Sequence, residues 1–317
     1  MAPGRLGVVW NPLRAERPAL EKALSKAGHT GDVGWYASSA EDAGQAACSK
    51  AIDEGADAVI VAGGDGTVRA VSETLAGTGI PLGIVPIGTG NLLARNLGIP
   101  LNDLDAGFRT ALRDPTRTID VGWADLTGGD QPGRHVFVVM AGFGIDSRMI
   151  AETDEELKVK AGWIAYVAAL GKALATVRVT GMRLSVDGAE PRRARAHTLI
   201  IGNCGTVRGG ITLLPDAVID DGLLDVLLAS AVTLPQWINT LKTMIWDNGV
   251  LRLLRKRRTA KDGTATTHFP ATTVRVEVAN PVTFQVDGDT LGDITAVTVE
   301  VAPGALIVRA PRPTPSR

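Results

Sequence analysis

A glycine-rich sequence, Gly-Gly-Asp-Gly-Thr at residues 63–67, constrains this chain more than any other feature. It follows an apolar run at 58–62 and precedes a helical pattern at 68–75. A strand that ends in glycines and leads into a helix exposes backbone N–H groups and the positive end of the helix dipole, and both favour a bound phosphate. The carboxylate of Asp65 would repel a phosphate that is only stored, but it suits Mg²⁺ binding or the removal of a proton from an attacking hydroxyl. The loop therefore predicts phosphoryl transfer.

Strand and helix patterns alternate over residues 1–125 and predict a nucleotide-binding α/β domain. The predicted strands lie at 6–10, 33–37, 58–62 and 81–86, and the predicted helices lie at 18–27, 40–54, 68–75 and 92–97. Apolar strands that alternate with helices are typical of a parallel sheet covered on both faces. We therefore expect a Rossmann-like parallel sheet in the first domain.

Three polar turns are expected at one edge of this sheet. Ligands of such sheets bind at the carboxyl ends of the strands. Asn11 follows the first strand, the 63–67 loop follows the third, and the sequence Gly-Thr-Gly-Asn at 88–91 follows the fourth. The residues expected to contact a nucleotide are Asn11, Gly63, Gly64, Gly66, Thr67, Gly88, Thr89 and Asn91.

From about residue 121 the pattern changes to short β-rich runs separated by turns. These runs lie at 136–140, 183–186, 196–201, 223–228, 274–278, 282–286 and 297–301, and helical stretches at 161–174 and 234–257 interrupt them. Such a pattern is typical of a β-sandwich or a barrel. We place a β-sandwich substrate domain at 126–302, followed by a tail at 303–317 that packs back on the first domain and then becomes disordered.

The composition excludes several classes of function. The net charge of −1 over 317 residues gives no global field for binding nucleic acid. Two cysteines and four scattered histidines form neither a disulfide framework nor a zinc pattern, so a reducing cytoplasm is expected. No uncharged apolar run approaches the roughly 20 residues needed to span a bilayer. Any membrane contact is therefore expected to be peripheral, at the inner membrane face.

The stretch at 237–258 has two interpretations. Trp237, Leu241 and Ile245 form an apolar stripe at helical spacing, and a basic cluster follows at 252–258. An amphipathic helix beside basic residues is typical of docking on an anionic membrane surface. The same pattern also fits a helix that packs in the core and has a solvated, charged end.

Three acidic turns in the second half are candidates for further contacts. Asp146 follows a glycine-rich strand end, where its carboxylate suits either a polar head group or the N-cap of a helix. Asp221 precedes a strand, in a turn that suits either a hard cation or a plain hairpin. Asp287 and Asp289 follow another strand and suit a base, a metal ligand or again only a turn.

Together these motifs resemble the diacylglycerol kinase catalytic family, the lipid kinases that include sphingosine kinases, ceramide kinases and related bacterial proteins. The resemblance covers nearly the whole chain, from Asn11 to Asp289. Phosphofructokinases and NAD kinases share the 63–67 loop, and NAD kinases have a similar two-domain plan, whereas the run at 203–225 resembles the lipid kinases. The resemblance implies an ATP-dependent kinase that uses Mg²⁺ and phosphorylates the hydroxyl of a lipid, either diacylglycerol or a sphingoid lipid.

The resemblance also implies where the substrates bind. It places ATP in the cleft between the domains, and it places Ser38 or Ser39 near the adenosine, of which we select Ser39. Asp146 corresponds to the position that binds the lipid head group in sphingosine kinases.

For the metal, the resemblance implies a Mg²⁺ site in the second domain, built from one carboxylate and two backbone carbonyl groups. The corresponding residues here are Asp221, for the carboxylate, and Val218 and Leu223, for the carbonyl groups.

Two positions depart from the family pattern. The family often has Asn-Glu where this chain has Arg69 and Ala70, and it has Asp-Gly-Glu where this chain ends in Asp289. Because Asp289 is one methylene shorter than Glu, the catalytic base is left open between Asp65 and Asp289.

Two alternatives to a lipid kinase stay open, and the departures at Arg69, Ala70 and Asp289 favour the second of them. One is a NAD kinase-like enzyme with a soluble acceptor, and the other is a catalytically weak protein that binds lipid or nucleotide. The oligomeric state is left open, with a homodimer as one option.

Overall fold

The computed structural model describes residues 4–144, 179–207, 211–230 and 266–312. Asp146, the predicted helical stretches at 161–174 and 234–257, and the basic cluster at 252–258 lie outside the described residues.

The described helices are α1 (Arg17–Lys26), α2 (Gln45–Asp53), α3 (Asp65–Leu75), α4 (Leu92–Asn96) and α5 (Leu104–Arg113). The strands of the first part are β1 (Arg5–Trp10), β2 (Asp32–Ala37), β3 (Ala58–Gly63), β4 (Leu82–Pro86) and β5 (Thr116–Gly128). The next strands are β6 (Gly133–Phe137), β7 (Met140–Phe143), β8 (Thr180–Val186), β9 (Arg192–Ala196), β10 (Thr198–Gly202), β11 (Thr206–Val207) and β12 (Ile211–Thr212). The last are β13 (Leu224–Ala229), β14 (Thr266–Ala271), β15 (Thr273–Val286) and β16 (Asp289–Arg309).

The strands β1 to β4 form the parallel sheet that the sequence predicts, in the order β4-β3-β1-β2. Every residue of β3 and β4 is buried, as expected for central strands covered on both faces. Because β1 pairs with both β2 and β3, the strand order reverses at β1. Parallel sheets bind ligands at such a reversal, beyond the carboxyl ends of the strands.

Helices cover both faces of this sheet. On one face, α1 and α5 bury Leu20 and Phe108 against Ile60 of β3. On the other face, α2 and α3 bury Cys48 and Val71 in a second apolar cluster, which also includes residues of α4 and β5. The two clusters hold the strand ends, and the loops that follow them, in fixed positions.

Two helix starts differ from the expected ones. The helix expected at 40–54 begins at Gln45, because Ala43 and Gly44 have positive φ values of 54° and 127° and turn the chain. The helix α3 begins earlier than expected, at Asp65, so the last three residues of the 63–67 loop form the first turn of the helix.

The sequence prediction missed α5. Its signal is an Asp N-cap, because the side chain of Asp103 accepts a hydrogen bond of 2.9 Å from the backbone N–H of Ala106.

The strands of the second half pair antiparallel, in the order β14-β13-β10-β7-β15-β16. Their apolar side chains form a separate core that includes Phe137, Leu199 and Phe284. The runs expected at 274–278 and 282–286 belong to the single strand β15, which passes an irregularity in its pairing with β16 between them.

The long strand β16 joins the two halves into one continuous sheet. It pairs antiparallel with β15 and β5, and through Val308 and Leu82 it pairs parallel with β4. The expected boundary at 125/126 falls inside β5, and the expected tail begins inside β16. The domain bounds therefore stay a prediction.

Candidate active site

A cavity of about 590 Å³ lies beyond the carboxyl ends of β1, β3 and β4. One end is lined by the turns that follow these strands, including residues 64–67 and 88–90. Another part of the lining, here called the apolar end, consists of apolar side chains of the second half, namely Met140, Phe143, Leu199, Ile200, Val207 and Leu213. The cavity thus joins a polar, glycine-rich surface to an apolar one.

The two glycine-rich loops touch each other through their backbones. A Cβ atom on Gly64 would lie 3.3 Å from the Cα atom of Gly88, and a Cβ atom on Gly88 would collide with the Cα atom of Gly64. Only residues without a side chain allow this approach. The glycines are therefore needed to bring both loops to one ligand.

Asn91 closes the second loop from behind. It is buried, has a left-handed backbone (φ 50°), and exchanges two hydrogen bonds with the backbone of Gly88, at 3.0 and 2.8 Å. Asn91 therefore positions the loop and does not line the cavity.

Asp65 connects the two loops. Its two carboxylate oxygens accept hydrogen bonds from the backbone N–H groups of Asn91, at 2.8 Å, and Leu92, at 2.6 Å. Burial raises the pKa of Asp65, these two hydrogen bonds lower it, and the nearby charge of Asp289 raises it further. Both oxygens of Asp65 therefore already have donors, although the residue also lines the cavity.

Asn11 and Ser39 line the cavity, as the sequence predicts for a nucleotide site. The side chain of Asn11 accepts a hydrogen bond of 2.9 Å from the N–H of Leu13, which shapes the turn after β1. The hydroxyl of Ser39 donates to Asp42 at 3.0 Å.

A fully buried carboxylate, Asp287, fixes the acidic turn of the second half. It accepts three backbone hydrogen bonds of 2.8–2.9 Å, from Val138, Val139 and Met140. Burial raises the pKa of Asp287 to about 6, against the lowering effect of these bonds. Because Asp287 also has a positive φ of 48°, the turn has one defined path, and it brings Asp289 to the cavity.

Asp289 lies beside the start of α3, close enough to Asp65 for its charge to raise the pKa of Asp65. Its side chain is 49% exposed and forms an ion pair of 3.0 Å with the guanidinium of Arg69 on α3. A Cβ atom on Gly66 would lie 3.6 Å from a carboxylate oxygen of Asp289. This carboxylate is therefore both next to the glycine loop and open to the cavity.

The apolar end is tied to the second loop by Asn96 at the end of α4. The side-chain amide of Asn96 donates to the carbonyl of Thr206 at 2.8 Å and accepts from the N–H of Thr206 at 3.1 Å. Thr206 begins β11, and the next residue, Val207, lines the cavity.

The residues expected to bind Mg²⁺ in the second half lie outside the cavity lining, in the turn before β13. Asp221 is exposed and accepts a hydrogen bond of 3.1 Å from the N–H of Leu223. Asp120 holds this turn from below, because its carboxylate accepts from Gly222 at 2.7 Å and its N–H donates to the carbonyl of Ile219 at 2.9 Å.

An exposed carboxylate in a fixed turn with nearby carbonyl groups has the oxygen ligands that Mg²⁺ takes. In the described part of the chain, no group of three or more Cys, His, Asp or Glu side chains could hold a metal ion. A metal in this turn would therefore depend on the backbone carbonyl groups of Val218 and Leu223.

The structure brings most of the expected site residues together. Those that line the cavity are Asn11, Ser39, Gly64, Asp65, Gly66, Thr67, Gly88, Thr89 and Asp289. Gly63 ends β3, where a Cβ atom would lie 2.7 Å from the Cβ atom of Thr67, so it supports the loop from behind.

The sequence analysis missed Arg14, the roles of Asp287 and Arg69, and the apolar lining. Arg14 follows the Asn-Pro turn, which would have been the signal for it. The others depend on contacts between distant parts of the chain.

The structure has a parallel α/β part with two glycine loops and an antiparallel β part, and both parts line one cavity. This arrangement is that of a two-part kinase fold. Comparisons with known proteins agree with this class. The model of the diacylglycerol kinase catalytic domain matches residues 12–124. The model of the YegS C-terminal NAD kinase beta sandwich-like domain matches residues 138–310. The chain therefore belongs to the diacylglycerol kinase family of lipid kinases, and the expected fold class is confirmed.

Individual relatives agree over nearly the full length. A diacylglycerol kinase of Mycobacterium tuberculosis is 30% identical over 98% of this chain and 96% of its own. A protein of Pseudomonas aeruginosa named "Probable lipid kinase YegS-like" is 34% identical over 84% of this chain and 80% of its own. A crystal structure of a diacylglycerol kinase from Bacillus anthracis superposes with a TM-score of 0.69 at 21% identity, over 98% of both chains, and shows the same fold.

Family membership supports lipid kinase activity, which is a phosphotransferase reaction that implies ATP and usually a divalent metal. Within the described ranges, no helix combines the length and the apolar character needed to cross a membrane.

Replacing Asp287 by Asn tests how the acidic turn is held. The amide oxygen of Asn can keep the two N–H groups that bind Oδ1, but its NH₂ group would face the N–H of Val138, which binds Oδ2. We expect the free energy of unfolding to fall by about 1–3 kcal/mol, the cost of one buried donor without an acceptor. Chemical denaturation measures it.

Asp187→Asn is the matched control for this change. Asp187 also accepts three hydrogen bonds, from Thr272 and Thr273, but all three go to Oδ1, which Asn retains. Equal losses of stability in the two variants would contradict the account of Asp287.

Proposed function

We propose that this protein is an ATP-dependent lipid kinase that transfers the γ-phosphoryl group to the hydroxyl of diacylglycerol or a sphingoid lipid. The observation that carries the proposal is that one cavity combines glycine-rich turns of the first half with apolar side chains of the second half in its lining. A phosphate fits the turns and an acyl chain fits the apolar side chains. The reacting atoms would meet between them, beside Asp65 and Asp289.

The nucleotide phosphates would bind where α3 begins. Backbone N–H groups at Gly64 and Gly66 and the positive end of this helix favour an anion. Thr89 is exposed on the second loop, where its hydroxyl could contact a phosphate. Among the described residues that line the cavity, Arg14 is the one that carries a positive charge. Arg95 stabilises the second loop by donating to the carbonyl of Gly90 at 2.7 Å.

Asp289 is the better candidate for the base. Its carboxylate is open to the cavity, whereas each oxygen of Asp65 accepts a backbone hydrogen bond. In the reaction, the lipid oxygen forms a bond to the γ-phosphorus, the bond from that phosphorus to the ADP oxygen breaks, and Asp289 takes the hydroxyl proton. The products are the phosphorylated lipid, ADP and a proton, which Asp289 then releases to water.

A divalent metal would fit at two places, namely the cavity beside Asp65 and the turn at 218–223. Mg²⁺ bound to ATP would neutralise charge that develops on the phosphates. Asp65, the first residue of α3, lines the cavity. Its carboxylate oxygens accept two hydrogen bonds and keep further lone pairs, which could bind the metal.

A soluble acceptor is the alternative that the apolar lining disfavours. A NAD or sugar acceptor carries many hydroxyl groups that need hydrogen-bond partners, whereas the side chains of Phe143, Leu199 and Leu213 offer none. A catalytically weak binding protein would retain the cavity but consume no ATP with any acceptor.

Radiolabelled ATP and Mg²⁺, supplied with micelles of diacylglycerol or sphingosine or with NAD, test the acceptor. We expect labelled product with a lipid and none with NAD. Asp289→Asn should lower kcat by about 10²- to 10⁴-fold, the usual contribution of a general base, and change the KM for ATP little.

Asp293→Asn is the control for the base, because Asp293 lies on the same strand and bonds the exposed hydroxyl of Thr283 at 2.6 Å. Product with NAD alone would overturn the lipid assignment. A kcat of Asp289→Asn close to that of the control would remove Asp289 from the reaction.

The metal turn is tested by thermal unfolding without nucleotide. A ligand that binds only the folded state raises Tm. We expect Mg²⁺ to raise Tm in the native protein and in Asp220→Asn, whose carboxylate pairs with Arg117 at 3.4 Å, but not in Asp221→Asn. The same Mg²⁺-dependent rise in Asp221→Asn would exclude Asp221 as a ligand.

An enzyme that phosphorylates a membrane lipid has to contact the membrane surface. We propose that the stretch at 237–258 makes this peripheral contact. Replacing Arg255, Lys256 and Arg257 by Gln should abolish sedimentation with phosphatidylglycerol vesicles at low salt. Replacing Arg192, Arg193 and Arg195, which carry the same charge and are exposed on β9, should not. Binding that does not weaken at high salt would contradict an electrostatic contact.

A further inference from the structure

We propose that Arg69 is a positioning residue that holds Asp289 in place for proton transfer, an inference that rests on the proposed function. The guanidinium Nη2 of Arg69 lies 3.0 Å from Oδ2 of Asp289, and the two residues are 220 positions apart in the chain. The pair therefore connects α3, which begins at the phosphate loop, to the start of β16.

The two partners differ in exposure, and this difference decides which one positions the other. The side chain of Arg69 is 14% exposed, whereas that of Asp289 is 49% exposed. Arg69 projects from a helix that packs on the sheet, and its Nε atom is buried. Asp289, by contrast, follows a turn at the rim of the cavity. The ordered guanidinium therefore restrains the exposed carboxylate.

Glu73, one turn further along α3, contacts the other end of the guanidinium. Its carboxylate lies 3.9 Å from Nη1 of Arg69, at the edge of ion-pair distance. This leaves Nη2 directed to Asp289 at the shorter distance. Arg69 is thus shared unequally between a carboxylate of its own helix and one of the opposite half.

Arg69 lies between acids of both halves. Among the described residues, it is the cation that contacts Asp289, and its other ion-pair partner is Glu73 on α3. The charge of Asp289 also reaches Asp65 at the start of α3, where it raises the pKa of Asp65. The guanidinium therefore binds, at its shorter distance, the carboxylate that lines the cavity.

Arg69 also compensates for the length of Asp289. A short carboxylate that is free to change rotamer meets the acceptor hydroxyl in few of its orientations. A displacement of about 1 Å of a catalytic group can cost on the order of 10²-fold in rate. The ion pair limits Asp289 to orientations near the start of α3, where the phosphates bind.

The positioning role predicts a change in kcat and not in nucleotide binding. We expect Arg69→Gln to lower kcat by about 10- to 100-fold with the KM for ATP changed less than about threefold. Arg69→Lys, which keeps the cation, should recover part of the loss.

Three comparisons separate this role from a structural one. The first is Glu73→Gln, which removes the weaker contact of the same guanidinium and should leave kcat within about twofold of the native value. The second is Arg69→Met, which replaces Arg69→Gln as the neutral variant if that protein does not fold. In an Asp289→Asn background, Arg69→Gln should cause no further loss, since residues that act through each other are not additive.

The inference is overturned if Arg69→Gln keeps the native kcat, if its loss persists in the Asp289→Asn background, or if Glu73→Gln causes an equal loss. If the native protein phosphorylates no lipid, the proposed function fails separately. In that case the ion pair is tested by the Tm of the native protein, of Arg69→Gln, of Asp289→Asn and of the double variant. If the changes in Tm of the two single variants add up in the double variant, the residues do not act through each other and the inference is overturned.

Discussion

The hydrogen bonds from Asn91 and Leu92 to the carboxylate of Asp65 are the contact on which the site depends. The two glycine loops follow the paired strands β3 and β4, which match Gly63 with Pro86, so the sheet brings the starts of the loops together but leaves the start of α4 to be held by another contact. Asp65 begins α3 and holds the start of α4 at 2.6–2.8 Å. Burial of this carboxylate is costly unless donors surround it, and the two N–H groups at the start of α4 supply them. The acid in the loop therefore has a structural reason as well as a chemical one.

The second half has an equivalent anchor in Asp287. Asp287 is buried and Asp65 is partly buried, both accept backbone hydrogen bonds from distant parts of the chain, and both line the cavity. Asp65 fixes the surface that would bind phosphate, and Asp287 fixes the turn that carries Asp289. The strand β16 begins at this turn and ends beside β4, so the acidic turn and the glycine loops are connected through one continuous sheet. The geometry of the two halves is therefore set by strand pairing and not by a flexible linker.

Local patterns predicted the parts of the site that depend on local rules. Apolar strands that end in glycines identified the parallel sheet and its ligand edge, and the same rule identified Asn11 and the 88–91 loop. Contacts between distant residues could not be predicted in this way. Nothing near Asp65 in the sequence indicates that its oxygens are already bonded, since the donors lie 26 and 27 positions away. The apolar lining could not be predicted for the same reason. In the sequence, Leu199 cannot be distinguished from a strand residue that packs in the core.

The two departures from the family pattern illustrate this limit most clearly. Taken separately, Arg69 removes a polar contact expected near the nucleotide, and Asp289 shortens the expected acid, so each favours a weakened enzyme. In the structure they form an ion pair of 3.0 Å beside the start of α3. The long side chain of Arg69 reaches the short carboxylate of Asp289 and holds it next to Gly66 of the glycine loop. Under the role proposed for this pair, the two departures are one coupled change, and the contact between them is the reason to expect catalysis and not its loss.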